Sequence, residues 1–239
     1  MLYIFGDSFA EYEDNIDWLW TDLVAATLGH DRTNFSRGGS GLEYTFEQFE
    51  QCRASITQDD LVIICLTEAT RVYFFKDFPV ISAAESIHHV DPLVRSTITK
   101  DQLLAIKYYQ TYFEHIHMHK MKFHLLNFLH SANALAAELK IKIIIIDSVL
   151  KDNIDCNRYK NLIISNGSLV NVSDNEAVDH KILPTIHLRG DKRPNHLCRS
   201  NHAILAKKVV DTITTNVALD LTLGFNEKII KELTFSPEI

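Results

Sequence analysis

The chain has 239 residues, of which 46% are hydrophobic and 23% are charged, with only 8 glycines and 5 prolines. This composition excludes collagen-like, low-complexity and largely disordered proteins, and the length is sufficient for one well-packed core. The formal net charge of -7 gives no overall positive field, so nucleic acid is not expected as a partner.

The first half of the chain predicts alternating strands and helices. Residues 3–5 form a short β-prone run that stops at Gly6, as expected of a buried first strand. A helix follows, which ends at Gly29, because five residues at helical spacing share one face: Trp20, Leu23, Val24, Thr27 and Leu28. A polar, glycine-rich loop over 34–41 then precedes a second helix over about 43–54.

A continuous apolar run over 61–66 predicts a strand that is buried on both faces and ends at Thr67. Residues 76–99 include Pro79 and Pro92, so we predict an irregular excursion or lid there. A long helical region is predicted over 100–139, where an apolar stripe begins at residue 125.

The last part of the chain contains one further buried strand, predicted over 141–146. Residues 152–184 are weakly patterned, with a candidate strand near 162–165, and a final amphipathic helix is predicted from near Asn201. The longest aliphatic run, 141–150, is much shorter than the roughly 20 residues needed to cross a bilayer, so no membrane span is expected.

Alternation of strands and helices predicts an α/β fold with a doubly wound, mostly parallel sheet and helices on both faces. We expect a single domain over 1–218 and a C-terminal extension over 219–239. Ligands bind such sheets at the carboxyl ends of the strands. The loops at Ser8, 37–41 and Thr67 all follow predicted strands or precede helices at that edge, and we expect them to converge on one cleft.

Ser8 directly follows the first predicted strand and is preceded by Gly6 and Asp7. A serine in this position can present its hydroxyl at the edge of the sheet, while the following helix supplies backbone N–H donors. The placement favours a nucleophile. A structural turn or a helix N-cap uses the same residue types, and that alternative stays open on these three residues alone.

Three segments together resemble the GDSL/SGNH hydrolase family, in particular its viral and bacteriophage members. Residues 5–9 (FGDSF) resemble the first block, which carries the nucleophile at Ser8. The loop 34–41 (NFSRGGSG) resembles the second block, in which a glycine N–H contributes to the oxyanion hole, and Gly41 matches that glycine best, with Gly39 as the alternative.

Residues 195–203 (NHLCRSNHA) resemble the last block, in which a histidine acts as the catalytic base. The resemblance assigns this role to His196 and a supporting position to His202. It also implies a flavodoxin-like fold, and a mechanism that needs no metal and no organic cofactor.

The four cysteines form no CxxC pair and are expected to be free thiols.

The chain departs from the family pattern at two positions. The family's oxyanion asparagine is replaced in the stretch Leu66-Thr67-Glu68, where Thr67 is the remaining side-chain donor. Loss of one such donor costs about 3–4 kcal/mol in the transition state. The aspartate expected three residues before His196 is Arg193, so the nearest carboxylate for orienting the imidazole is Asp191.

The resemblance therefore implies an esterase or deacylase acting on an acylated small molecule or saccharide, and family analogy favours an O-acetylated saccharide. Arg71, one helical turn after Thr67, is a candidate clamp for an anionic substrate group, and an ordinary salt bridge with Glu68 is the alternative. The rival hypothesis is a catalytically degenerate binding or structural protein that assembles as an oligomer or in a virion. Without a recognisable export signal, a cytoplasmic or virion-associated protein is expected.

Overall fold

A computed structural model describes residues 1–12, 16–67, 71–75, 78–82, 100–101, 104, 118–148, 155–176 and 197–226. In chain order its strands and α-helices are β1 (Leu2–Phe5), α1 (Trp20–Leu28), β2 (Arg32–Asn34), α2 (Leu42–Cys52), β3 (Leu61–Leu66), β4 (Arg71–Phe75), β5 (Phe78–Ser82), α3 (Met118–Leu139), β6 (Ile143–Asp147), β7 (Leu162–Ile164), α4 (Leu169–Glu176) and α5 (Arg199–Thr215). Short 3₁₀ turns lie at Arg53–Ser55 and Cys156–Arg158.

Five strands form one parallel sheet in the order β2-β1-β3-β6-β7. Among these five strands the order is 2-1-3-4-5 in chain sequence, which is the flavodoxin-like arrangement with its switch point between β1 and β3. The predicted α/β fold, with a doubly wound parallel sheet and helices on both faces, is confirmed.

The two faces of the sheet carry separate hydrophobic clusters. One cluster joins the sheet to α1, α4 and α5, with Trp20, Val24 and Leu205 fully buried. The other joins the sheet to α2 and α3, with Phe49 and Leu129 fully buried. Inward-facing apolar stripes on each helix account for these contacts, because a helix that covers a sheet must bury one face.

The ends of α1 are formed in different ways. At the C-terminus, Gly29 adopts the left-handed conformation with φ 66°, and His30 N–H donates to the Ala25 carbonyl at 3.0 Å in a Schellman-type closure. At the N-terminus, Leu19 offers no capping side chain. Thr27, predicted on the buried face, is exposed, and its hydroxyl donates to the Leu23 carbonyl at 2.7 Å.

The structure corrects the prediction that residues 76–99 are irregular. Strand β5 (Phe78–Ser82) lies within this range and pairs antiparallel with β4, with Pro79 opposite Tyr73 between two register shifts. Proline is tolerated there because a short two-stranded ladder with irregular register does not require every N–H. Residues 83–99 lie outside the described residues.

Other element bounds differ modestly from the predictions. Besides β5, three elements, β2, β4 and α4, were not predicted; β2 reads Arg-Thr-Asn at the edge of the sheet and carries no apolar alternation. The long helix α3 is described from Met118, and most of the earlier part of the predicted 100–139 helix lies outside the described residues. Strand β6 begins at Ile143 because Lys140, with φ 57°, closes α3 first.

The described part of the C-terminal segment packs on the sheet. Leu219 and Leu221 are buried, and Asn166, just after β7, accepts a hydrogen bond from Leu221 N–H and donates one to the Leu219 carbonyl. The domain boundary at residue 218 stays a prediction, although these residues contribute to the core. No helix in the described part of the chain is long and apolar enough to cross a membrane.

Candidate functional site

Ser8 lies at the carboxyl end of β1 in a turn that requires glycine before it. Gly6 has φ 152°, and a Cβ there would lie 2.6 Å from Cys65 Cβ on the neighbouring strand β3. Asp7 is fully buried, and its Oδ1 accepts the Phe9 N–H at 3.1 Å. The turn leaves Ser8 partly exposed at the edge of the sheet.

The loop 34–41 is held directly against this turn. The Gly6 carbonyl accepts the Arg37 N–H and the hydroxyl of the fully buried Ser40, both at 3.1 Å. The Asn34 side-chain amide donates to the Ala10 carbonyl at 2.7 Å. The two segments that resemble the first two family blocks therefore form one hydrogen-bonded unit, as the predicted convergence requires.

Both candidate oxyanion glycines lie within this unit. Gly39 has φ 72°, and Gly41 is buried at the N-cap position of α2, where the helix dipole contributes partial positive charge. In the part of the chain that the structure describes, no acceptor engages the backbone N–H of Ser8 or of Gly41. The two loops that meet at Gly6 therefore carry two N–H groups that have no acceptor among the described residues.

Thr67 follows β3 on the strand next to Ser8. Phe5 pairs with Ile64, so Ser8 and Thr67 each lie three residues after a paired position. The Thr67 side chain is fully buried, and its hydroxyl has no hydrogen-bond partner among the described residues. An unpaired buried hydroxyl costs about 1–3 kcal/mol, so this group is suited to receive a further partner.

Ser148, which was not predicted, repeats this arrangement after β6. Its N–H donates to the Leu66 carbonyl at 2.9 Å, it is fully buried, and its hydroxyl has no partner within the described residues. The sequence signal was its position: Ser148 follows a buried strand in the same way that Thr67 does. The Thr67 and Ser148 hydroxyls, which have no partner in the described part of the chain, therefore lie at the carboxyl ends of adjacent strands.

The segment that follows the predicted base is anchored beside the Ser8 turn. Leu197 is buried in the same cluster as Phe9, and Cys198 caps α5 by accepting the Asn201 N–H at 3.4 Å. Helix α5 begins two residues earlier than predicted, so His202 lies in its first turn. His196 and Asp191 themselves lie outside the described residues.

Trp20 connects these two segments. Its indole N–H donates to the Phe9 carbonyl at 2.7 Å, and its backbone N–H donates to His202 Nδ1 at 3.2 Å. Trp20 is fully buried and His202 is 3% exposed, so both bonds lie in the interior. Trp20 therefore binds both segments: its side chain binds Phe9, the residue after Ser8, and its backbone binds the first turn of α5.

The structure changes the position assigned to Arg71. The prediction placed it one helical turn after Thr67, but Arg71 begins strand β4 and pairs with Ser82. A strand advances about 3.3 Å per residue rather than 1.5 Å, so the helical spacing on which the clamp was based is wrong. Its role as an anion clamp stays a prediction.

Two ionisable groups near the site are perturbed by burial. Burial raises the pKa of the Cys65 thiol well above its usual value, and the Asp7 carboxylate raises it further. Burial also raises the pKa of Glu43 in the first turn of α2, where one carboxylate oxygen has no hydrogen-bond partner among the described residues. Cys65 is therefore a protonated core residue at neutral pH and does not compete with Ser8 as a nucleophile.

A cavity of about 230 Å³ lies at the opposite edge of the sheet. It is lined by the beginnings of β3 and β6 and by the end of α5, including Gln58, Lys140 and Thr212. Within the described ranges, no group of three or more His, Cys, Asp or Glu residues could hold a metal ion. The polar groups at the carboxyl edge are thus separate from this cavity.

In comparisons with protein-family models, curated proteins and solved structures, none matched this chain.

Proposed function

We propose that this chain is a serine esterase that cleaves an acyl ester, with Ser8 as the nucleophile and His196 as the base. The observation that carries the proposal is the double hydrogen bond of Trp20, which joins Phe9 to the first turn of α5. Leu197 is buried in the same cluster as Phe9, and His196 is bonded directly to Leu197.

In the proposed reaction, His196 removes the proton from the Ser8 hydroxyl, and the resulting alkoxide attacks the ester carbonyl carbon. The N–H groups of Ser8 and Gly41, or of Gly39 in the alternative assignment, donate to the oxyanion that forms. The tetrahedral intermediate expels the alcohol, which takes the proton from His196. Water then hydrolyses the acyl-serine by the same route, and Asp191 orients the imidazole throughout.

The proposed substrate is an acylated small molecule or saccharide, with an O-acetylated saccharide favoured by the family resemblance. One feature supports a polar substrate oxygen near Ser8. The Thr67 hydroxyl is unpaired among the described residues and can donate to such an oxygen. In this proposal, Arg71 would provide a cation for an anionic substituent.

The test is covalent labelling with a fluorophosphonate, followed by hydrolysis of 4-nitrophenyl acetate. The wild-type chain should be labelled on Ser8, and Ser8→Ala should lose labelling and at least about 1,000-fold in kcat/KM. Ser36→Ala is the matched control, because Ser36 lies in the facing loop and its hydroxyl has no partner in the described part of the chain. Equal hydrolysis by wild type and Ser8→Ala would refute the proposal.

The second candidate is a catalytically inert protein of the same fold that binds a ligand or assembles in a particle. One observation favours it: Thr67, the remaining side-chain donor, has no exposed surface. A donor that is sealed from solvent reaches a substrate only if covering residues move. An unlabelled but folded wild-type chain is the result expected for this second candidate.

A further inference from the structure

Helix α1 has no capping residue of its own. The first N–H groups of a helix lack partners within the helix, and they are usually satisfied by a Ser, Thr, Asp or Asn side chain at the N-cap. Leu19 occupies that position here and makes no side-chain hydrogen bond. The acceptor is supplied instead by His202, which is 182 residues further along the chain and belongs to α5.

The same residue that receives this cap also holds the Ser8 turn. Trp20 uses its backbone N–H for His202 and its indole N–H for the Phe9 carbonyl. The imidazole is fixed further by Trp18, whose ring lies edge-on at 5.3 Å between centroids. Since Nδ1 accepts the backbone proton, the neutral ring carries its own proton on Nε2.

We propose that Trp20 and His202 form a clasp that positions the Ser8 turn relative to residues 197–202, which directly follow His196 in the sequence. The term clasp denotes the two hydrogen bonds from Trp20 to Phe9 and to His202. Both are positioning residues, since neither needs to contact substrate. The proposal rests on the proposed function for its catalytic consequence, whereas the mechanical coupling of residues 8–11 to 197–202 can be measured without any activity.

A second pair of hydrogen bonds anchors the α5 end of the clasp. The Asn201 side-chain amide donates to the Asn226 carbonyl at 3.0 Å, and its oxygen accepts the Asn226 N–H at 2.8 Å. Asn201 is fully buried, and Cys198 caps the same turn. The first turn of α5 is therefore held from both sides, so movement of His202 would be transmitted to Trp20 instead of being absorbed locally.

The test compares four variants of the full chain by amide hydrogen exchange and by the rate of fluorophosphonate labelling. Trp20→Phe removes the indole donor but keeps an aromatic ring, and His202→Leu removes the acceptor. His202→Asn retains an acceptor oxygen on a short side chain. Val24→Ala is the matched control. Val24 is buried on the same helix and in the same cluster, but its side chain forms no hydrogen bond to Phe9 or His202.

Trp20→Phe and His202→Leu should each accelerate exchange in both 8–11 and 197–202 by about tenfold, the range expected when one buried hydrogen bond is lost. Val24→Ala should not accelerate these segments selectively when compared at equal global stability. His202→Asn should restore most of the protection. The labelling rate should fall about tenfold in the first two variants, with kcat reduced and KM for 4-nitrophenyl acetate unchanged.

The outcomes separate the clasp from the proposed function. Faster exchange confined to one segment, or the same acceleration in Val24→Ala, would overturn the clasp. If wild type is not labelled, the esterase fails while the exchange result still decides the clasp. If Trp20→Phe does not fold, the comparison of His202→Leu with His202→Asn decides it, because both keep the indole in the core.

Discussion

The two faces of the sheet are stabilised by different kinds of contact. On the α2 and α3 face, aromatic rings pack on one another: Phe5 stacks on Phe35 at 5.2 Å, and Phe49 meets Phe128 edge-to-face at 5.9 Å. On the α1 and α5 face, apolar contacts are joined by buried hydrogen bonds. The bond between Trp20 and His202 spans 182 residues, the largest chain separation among the described bonds.

The two kinds of contact have different effects: aromatic packing contributes mainly stability, and hydrogen bonds fix the positions of the groups they join. Aromatic packing contributes free energy in proportion to buried area and tolerates small shifts, because dispersion and the hydrophobic effect are not directional. Hydrogen bonds contribute about 1 kcal/mol each but fix distances and angles. We therefore expect substitutions on the α2 and α3 face to change mainly the free energy of unfolding, and those on the other face to change the geometry of the site.

The largest expected effect is on the aromatic face. Phe128→Ala removes a buried ring that contacts two other rings and should reduce the free energy of unfolding by about 3–5 kcal/mol in denaturant titration. Phe123→Ala, at a 63% exposed position on the same helix, should change it by less than about 0.5 kcal/mol. Labelling of Ser8, measured per folded molecule, should be unchanged in both variants; a large loss in Phe128→Ala would contradict the comparison.

The substitution Gly6→Ala lies directly after β1, between the two faces of the sheet. The new methyl group would lie 2.6 Å from Cys65 Cβ and 2.9 Å from the Cys65 carbonyl oxygen, so we expect a loss of about 1–3 kcal/mol together with displacement of the Ser8 turn. Gly29→Ala meets no atom within 4 Å and is the control for backbone strain alone. Only Gly6→Ala should slow Ser8 labelling, and equal labelling by both variants would exclude a displaced turn.

Glu43→Gln tests a partly buried carboxylate, of which one oxygen has no hydrogen-bond partner among the described residues. Burial raises the Glu43 pKa, so the ionised form is disfavoured in the folded chain and costs stability above the folded pKa. Gln should therefore stabilise the chain at pH 7, by less than the roughly 1–3 kcal/mol that a fully buried unpaired group costs. This gain in the free energy of unfolding should vanish below the pKa of Glu43 in the unfolded state. Thermal unfolding at pH 3.5 and 7 measures this, with Glu47→Gln as the control on the same helix.

The smallest effect is expected for Asp220, a satisfied carboxylate near the α1 and α5 face. The Thr222 hydroxyl, at 2.6 Å, and the Thr222 N–H lower the Asp220 pKa. This stabilisation is present above the pKa of the unfolded state, near 3.9, and it is lost as the pH falls through the lower pKa of the folded state. Because the side chain is solvated, Asp220→Asn should cost about 0.5 kcal/mol at pH 7 and nothing near pH 2. A larger loss at pH 2 than at pH 7 would contradict this sign.

The elements with strong apolar patterns could be predicted from the sequence. The continuous run of β3 and the helical spacing of α1 and α5 arise from burial of one or both faces, so the pattern and the structure share a cause. Strand β2 could not be predicted in this way, because its residues are polar and its place in the sheet comes from pairing with β1. Strand β5 was missed because Pro79 argued against it.

The site was predictable only in part for a similar reason. Turn chemistry identified the Ser8 loop and the loop 34–41, and their contact through Gly6 follows from parallel strands ending at one edge. The contact between Trp20 and His202 was not predictable, because Trp20 satisfies the helical apolar pattern like any core residue. No local pattern encodes a hydrogen bond between residues so distant along the chain.

The remote cap of α1 also has a consequence for the order of events during synthesis. Translation delivers residue 20 long before residue 202, and short helices are marginal in water when they lack capping and packing. On the ribosome, the start of α1 should therefore stay frayed until α5 has emerged from the exit tunnel. Assembly of the carboxyl edge around Trp20 and His202 is then a late step, which is completed only after residue 202 has left the tunnel.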